Sequence, residues 1–187
     1  MLENHSPNII TGCETWLTSS ILDNEIIPRD YKLYQKDRKD GYGGVLIGIK
    51  SNLLSRLIDL NTSCEICAVV IQLSQNQQLV VINTYRPPNR DAMYQQALCD
   101  CICEIVGRYP NSFIFRTGDF NLPDIDWTSN SVVNHQYPLD INRFILTMAA
   151  ECYFTQLVNF PTHRENILGI VFTNRLSLVN CCLWCQE

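Results

Sequence analysis

The run Ser112-Phe113-Ile114-Phe115-Arg116-Thr117, followed by Gly118-Asp119-Phe120-Asn121, decides how the chain is read. A short apolar run closed by glycine and polar residues predicts a buried strand. Asp119 and Asn121 then sit where the strand meets a loop, which is where open sheets bind ligands. Aspartate offers a hard anionic oxygen for a divalent cation such as Mg²⁺, or for orienting a water. Asparagine two residues on adds a neutral donor and acceptor without a second charge. The pair suits phosphoryl chemistry, yet Gly, Asp and Asn are also what a tight turn wants, and these four residues alone do not separate the two readings.

Three further words surround this one: Asn83-Thr84-Tyr85-Arg86-Pro87-Pro88-Asn89 upstream, Cys13-Glu14-Thr15-Trp16-Leu17 near the start, and Leu122-Pro123-Asp124-Ile125-Asp126-Trp127 directly downstream. Together they resemble the endonuclease/exonuclease/phosphatase superfamily, most of all the endonuclease domain at the front of non-LTR (LINE-type) retrotransposon polyproteins. The resemblance runs from Ile9 to about Leu178. It implies a four-layer α/β sandwich, two packed and mainly antiparallel sheets flanked by helices. The residues alone support only mixed strands with two structural helices.

Asn8 to Glu14 reads as a strand ending at an acidic residue, a typical place for a divalent-metal ligand and equally for a surface Glu that opens a turn. The resemblance gives Glu14 the metal-binding role, with Mg²⁺ or Mn²⁺ as the ion. Cys64 to Leu73 and Leu79 to Tyr85 read as an antiparallel hairpin, and Pro87-Pro88 end the second strand. Tyr85 can present its hydroxyl at the sheet rim or pack under the loop, and spacing supports both. The resemblance makes it an active-site tyrosine on the phosphate. It also implies that Asp119 with Asn121 aligns the attacking water, and it offers Arg86 and Thr162 as weaker substrate contacts. His163 reads as a loop or substrate-edge residue, because the family places its base elsewhere.

Asp91 to Arg108 predicts a helix capped by Asp91, and Asp140 to Tyr153 a second; both carry apolar faces with helical spacing and read as core. Ile26 to Lys39 reads as a loop whose mixed charges make a solvated surface. Asp40-Gly41-Tyr42-Gly43-Gly44 reads as a turn feeding the strand Val45 to Lys50, since a phosphate loop would open a helix instead.

With 187 residues the chain is one domain's worth, 1–187, able to bury roughly 70% of its unfolded surface. Its apolar runs, about five residues long, fall far below the roughly 18 of a membrane span, and no secretory leader is visible. The net charge of −5 argues against capture of nucleic acid by the surface as a whole. Ten cysteines is a high count. However, Cys64 with Cys67 has no second pair at zinc spacing, and strand alternation puts the two on opposite faces. Cys99, Cys101 and Cys103 fan around a helix, and Cys181, Cys182 and Cys185 close the chain. Buried reduced thiols in an intracellular compartment, nuclear or cytoplasmic, are the expectation.

The chain departs from the family in several places. Relatives carry an earlier strand with a phosphate-binding Asn; here only Met1 to Pro7 precede the Glu14 strand. Where relatives read Leu-Asp-Leu-Val-Phe-Thr, this chain reads Leu168-Gly169-Ile170-Val171-Phe172-Thr173, and it ends at Glu187 before any Ser-Asp-His word. The expectation is a partial domain, truncated at both ends: by family an Mg²⁺-dependent DNA-nicking endonuclease, weak or inactive, with DNA as partner and a reverse transcriptase domain in the parent polyprotein. The alternatives are a non-catalytic DNA- or protein-binding remnant and a phosphatase of the same superfamily.

Overall fold

The computed structural model describes residues 6–18, 20–38 and 41–179; Cys181, Cys182 and Cys185 lie outside them. In chain order the elements are β1 (Ile9–Cys13), α1 (Asp23–Ile26), β2 (Tyr31–Lys36), β3 (Val45–Lys50), β4 (Ser55–Leu57), β5 (Glu65–Ser74), β6 (Gln77–Tyr85), α2 (Ala92–Arg108), β7 (Phe113–Asp119), β8 (Ile125–Asp126), β9 (Ser131–Val132), α3 (Leu139–Glu151), β10 (Thr155–Gln156) and β11 (Gly169–Thr173).

The strands form a six-stranded sheet in the order β10-β11-β7-β6-β5-β4, a three-stranded sheet β1-β3-β2, and the small hairpin β8-β9. Among the described residues only β6 and β7 run parallel; the other strand pairings are antiparallel. A parallel pair requires a crossover, and α2 supplies it. Asp91 caps that helix by accepting the Tyr94 N–H at 2.9 Å.

Alternation along β5 and β6 explains the layering. Ile66, Ala68, Val70, Val80 and Ile82 face the helices, packing with Leu98, Ile102, Ile105, Ile145 and Met148. Their neighbours Cys67, Val69, Ile71, Val81 and Tyr85 face the other sheet, meeting Val45, Ile47 and Ile49. Both faces of these central strands are therefore buried, which is why they read as continuous apolar runs. Cys64 joins the helix-side core and Cys67 the core between the sheets, on opposite faces as alternation requires. The result is an α/β sandwich of two packed sheets with helices outside. The layer over the three-stranded sheet is thin. It consists of α1 and Ile27, whose Cδ1 lies 2.2 Å from where a Cβ on Gly48 would be, so only glycine lets that side chain sit on the sheet.

Some segments differ from the sequence expectation. Tyr31–Lys36 is a strand along β3, with Tyr31 opposite Lys50 and Lys36 opposite Val45, where a loop was expected. Ser55–Leu57 adds an edge strand that no sequence signal marked. Among the described residues, no helix is long and apolar enough to cross a membrane.

Candidate active site

Strand register brings the site together. Tyr85 closes β6 and Asp119 closes β7, and the parallel ladder puts them side by side. On the other flank of β7, Gly169 is the antiparallel partner of Asp119. The approach at the end of β7 is close. Gly118 has φ +149°, and a Cβ there would lie 2.0 Å from the Thr84 carbonyl oxygen, so no other residue fits without moving the strand.

Glu14 arrives from the other sheet. It follows β1 directly, with φ at +52°, a left-handed conformation uncommon outside glycine that turns the chain at the sheet rim. The Tyr85 hydroxyl donates to Glu14 Oε1, tying the two sheets at this point. Burial, then the hydrogen bond to Glu14 and its charge, push the Tyr85 hydroxyl well above the ordinary tyrosine range. It stays neutral and able to donate.

Asp119 Oδ1 accepts the Asn121 N–H at 3.0 Å, and the Arg86 N–H donates to the Asp119 carbonyl at 2.8 Å. Asn121 has φ +51°, and its Nδ2 donates to the Arg86 carbonyl at 3.0 Å, fixing the amide plane. Burial raises the Asp119 carboxyl above its usual range and the Glu14 charge adds to this; the Asn121 N–H and His163 act in the opposite direction. Tyr85, paired with Asp119 in the ladder and bonded to Glu14 through its hydroxyl, stands between the two carboxylates.

Thr162 serves the site through the main chain. Its Oγ1 accepts the N–H groups of both Leu168 and Gly169 at 2.9 Å, holding the loop before β11 next to Asp119. Arg86 stands elsewhere. Its side chain is fully buried, donates to the carbonyls of Pro87 at 3.4 Å and Arg90 at 2.7 Å, and lies 5.0 Å from the Tyr137 ring centre. Its charge is buried, and it is the main chain of Arg86 that meets Asp119 and Asn121.

Two residues with no assigned role support the site. Asn83 Nδ2 donates to the carbonyls of Gly12 at 2.8 Å and Leu46 at 3.0 Å, while its Oδ1 accepts from Thr117 Oγ1 at 3.0 Å and Cys13 Sγ at 3.4 Å. One buried amide therefore locks β1 and β3 onto β6 and β7 just below Glu14. The signal was a polar residue in an otherwise apolar strand. Asp124 is buried and accepts the N–H groups of Gln136 at 3.0 Å and Tyr137 at 2.7 Å. It secures the loop that follows the Gly118–Asn121 word.

The donor set fits a hard cation. Mg²⁺ keeps several of its waters and asks for one or two carboxylates, which Glu14 and its neighbour Asp119 provide. Among the described residues no group of three or more His, Cys, Asp or Glu gathers that could cage a metal by protein ligands alone.

No sequence-family model matches the chain, and no curated protein matches it by sequence. Solved structures do. The endonuclease domain of TRAS1, a telomere-specific non-LTR retrotransposon, superposes with a TM-score of 0.66 at 14% identity, covering 91% of this chain and 74% of that one. An AP endonuclease from Archaeoglobus fulgidus gives 0.60 at 16% identity, over 92% and 78%. The human Nocturnin catalytic domain gives 0.58 at 12% identity, over 93% and 72%. All three are members of one superfamily. The chain accordingly has the fold of the endonuclease/exonuclease/phosphatase superfamily.

Proposed function

We propose that this chain is a divalent-metal-dependent phosphodiester hydrolase that nicks DNA, with attenuated catalysis. The observation that carries the reading is the convergence of Glu14, Tyr85, Asp119 and Asn121 at one edge of the two sheets, held by register and hydrogen bonds. Glu14 would hold Mg²⁺ or Mn²⁺, with Asp119 adjacent. The ion, when bound, neutralises charge on the phosphate oxygens. The neutral Tyr85 hydroxyl both orients Glu14 and can donate to a phosphate oxygen. Asp119, its carboxylate steadied by the Asn121 N–H, aligns the attacking water.

Gly169 is the reason for attenuation. Relatives resembling this chain carry an aspartate there, and here the position beside Asp119 has no side chain to orient a proton carrier. General acid–base groups typically contribute about 10²–10⁴-fold. DNA is the proposed partner, with a reverse transcriptase domain in the parent polyprotein and an intracellular site of action. The same gap at Gly169 favours, as second reading, a module that binds DNA without cutting it.

Nicking of supercoiled plasmid by the purified chain tests the proposal, with Mg²⁺, with EDTA, and with Asp119→Ala. Slow Mg²⁺-dependent nicking that the substitution abolishes is expected. A folded chain that binds DNA but never nicks it would leave the binding module.

A further inference from the structure

Beside Glu14 the chain builds a second feature. Trp16 also has φ at +52°, so two left-handed residues within one turn swing its side chain outward, to 58% exposure. The turn is rigid. The Trp16 N–H donates to the Gly43 carbonyl at 2.9 Å, and Gly44 N–H donates to the buried carboxylate of Glu65 at 2.7 Å. Gly43 and Gly44 have φ of +95° and +89°, and a Cβ on either would collide, with Glu65 Oε2 at 2.5 Å or Thr15 Oγ1 at 2.7 Å. This fastening presents Tyr42, 62% exposed, edge-on to Trp16 with ring centres 5.6 Å apart and planes at 72°. Two large aromatic rings thus stand side by side in solvent, Trp16 being two residues from the metal-binding candidate.

We propose that Trp16 and Tyr42 form a stacking subsite for an unpaired nucleobase of the DNA strand being cut. The proposal rests on the DNA reading above and names which form of DNA the site takes. Ring faces attract a base through its π-face, which a duplex hides and a single strand offers. The charge balance points the same way. A chain with a net charge of −5 gains little from neutralising phosphates, so affinity has to come from contacts that do not depend on a basic groove. Binding through Trp16 and Tyr42 accordingly favours single-stranded or flapped over fully paired DNA and depends weakly on salt.

The test is binding of fluorescent oligonucleotides by the purified chain in EDTA, so that cutting plays no part, read by anisotropy and by quenching of tryptophan fluorescence. The probes are a mixed-sequence single strand, the same strand made abasic, and its duplex. Trp16→Ala and Tyr42→Ala should each weaken single-strand binding by about ten- to a hundredfold, while Trp16→Phe, which keeps a ring, stays close to the unaltered chain. Loss of bases should cost as much as loss of the rings. Equal binding by Trp16→Ala, or equal affinity for single strand and duplex, overturns the subsite. The two readings fail separately. Plasmid nicking that needs Asp119 but binding indifferent to Trp16 removes the subsite alone, and ring-dependent binding without nicking removes the hydrolase alone. Thermal unfolding of each variant confirms that these exposed substitutions leave the fold intact.

Discussion

The Tyr85 hydroxyl donates to Glu14 Oε1, so one hydrogen bond joins the end of β6 in the larger sheet to the turn after β1 in the smaller one. It orients the carboxylate that would meet a metal. Tyr85→Phe keeps the ring that packs between the sheets and removes only this link. A hydrogen bond to a charged group contributes about 1.5–3 kcal/mol, and the expected result is a stability loss at the low end of that range with weaker Mg²⁺ affinity. Denaturant unfolding and a Mg²⁺ titration check both; unchanged Mg²⁺ affinity would mean that Tyr85 does not position Glu14.

Gly169 can be refilled. A Cβ there would meet nothing closer than Thr162 Oγ1 at 3.6 Å, an ordinary contact, so the backbone at this position accepts a side chain. Gly169→Asp is expected to raise the nicking rate by roughly tenfold or more. The new carboxylate stands beside Asp119 and should lift its pKa further. No gain in rate would remove Gly169 as the cause of the proposed attenuation.

Asp119 is held against its own stability. Its carboxyl is raised from 3.8 mainly by burial, so the ionised form is disfavoured in the folded chain at neutral pH. Because the folded chain takes up this proton at higher pH than the unfolded one, the cost is present above the folded pKa and disappears below 3.8. Asp119→Asn should therefore abolish nicking and stabilise the metal-free chain by roughly 1 kcal/mol at pH 7, with the gain shrinking on acidification. Destabilisation at pH 7 would contradict this account.

The buried thiols carry the same sign into alkaline pH. Burial pushes Cys67, Cys99 and Cys152 from 9.0 up to about 12. Above pH 9 the unfolded chain loses these protons while the folded chain keeps them, so stability falls by about 1.4 kcal/mol per pH unit per thiol. Unfolding in reductant at pH 8, 9 and 10 measures the slope, and Cys67→Ala should flatten it by one thiol's share. A pH-independent stability would show these thiols to be solvated.

Among the described residues, Arg116 is a fully buried cation with no carboxylate partner. Nη2 donates to Thr84 Oγ1 at 3.2 Å, while Nε and Nη1 have no acceptor. The guanidinium lies 3.9 Å from the Phe120 ring centre, and desolvation pushes its pKa down to about 9. Replacing a buried charge by an apolar side chain of similar length often stabilises by about 1–4 kcal/mol. Arg116→Met is expected to stabilise towards the lower end, since the ring contact is lost. A net loss of stability would show that stacking on Phe120 outweighs the buried donors.

The sequence exposed those parts of the molecule whose signal is local. Central strands, both long helices and the Asp91 cap follow from runs, spacing and capping within a few residues of each other. β2 did not, because Tyr31–Lys36 carries mixed charges and becomes a strand only by pairing with β3. Arg86, which the resemblance offers as a weaker substrate contact, is buried, and its partners, the carbonyls of Pro87 and Arg90, come from the turn of the chain after it, which residue types alone do not show. Asn83 had no visible role until two sheets were laid together, since its four partners come from β1, β3 and β7. Site residues at strand ends were legible as chemistry, and their mutual geometry was not.

The register that seats Tyr85 beside Asp119, and Asp119 beside Gly169, is written in main-chain hydrogen bonds, which every residue except proline can supply. Substitutions can therefore accumulate along these strands without disturbing where the site residues stand, consistent with 14% identity to a domain that overlays 91% of the chain. Changes of length are different. Deleting one residue within Phe113–Thr117 would turn Asp119 to the opposite face of the sheet. The letters of these strands can change, but their count cannot.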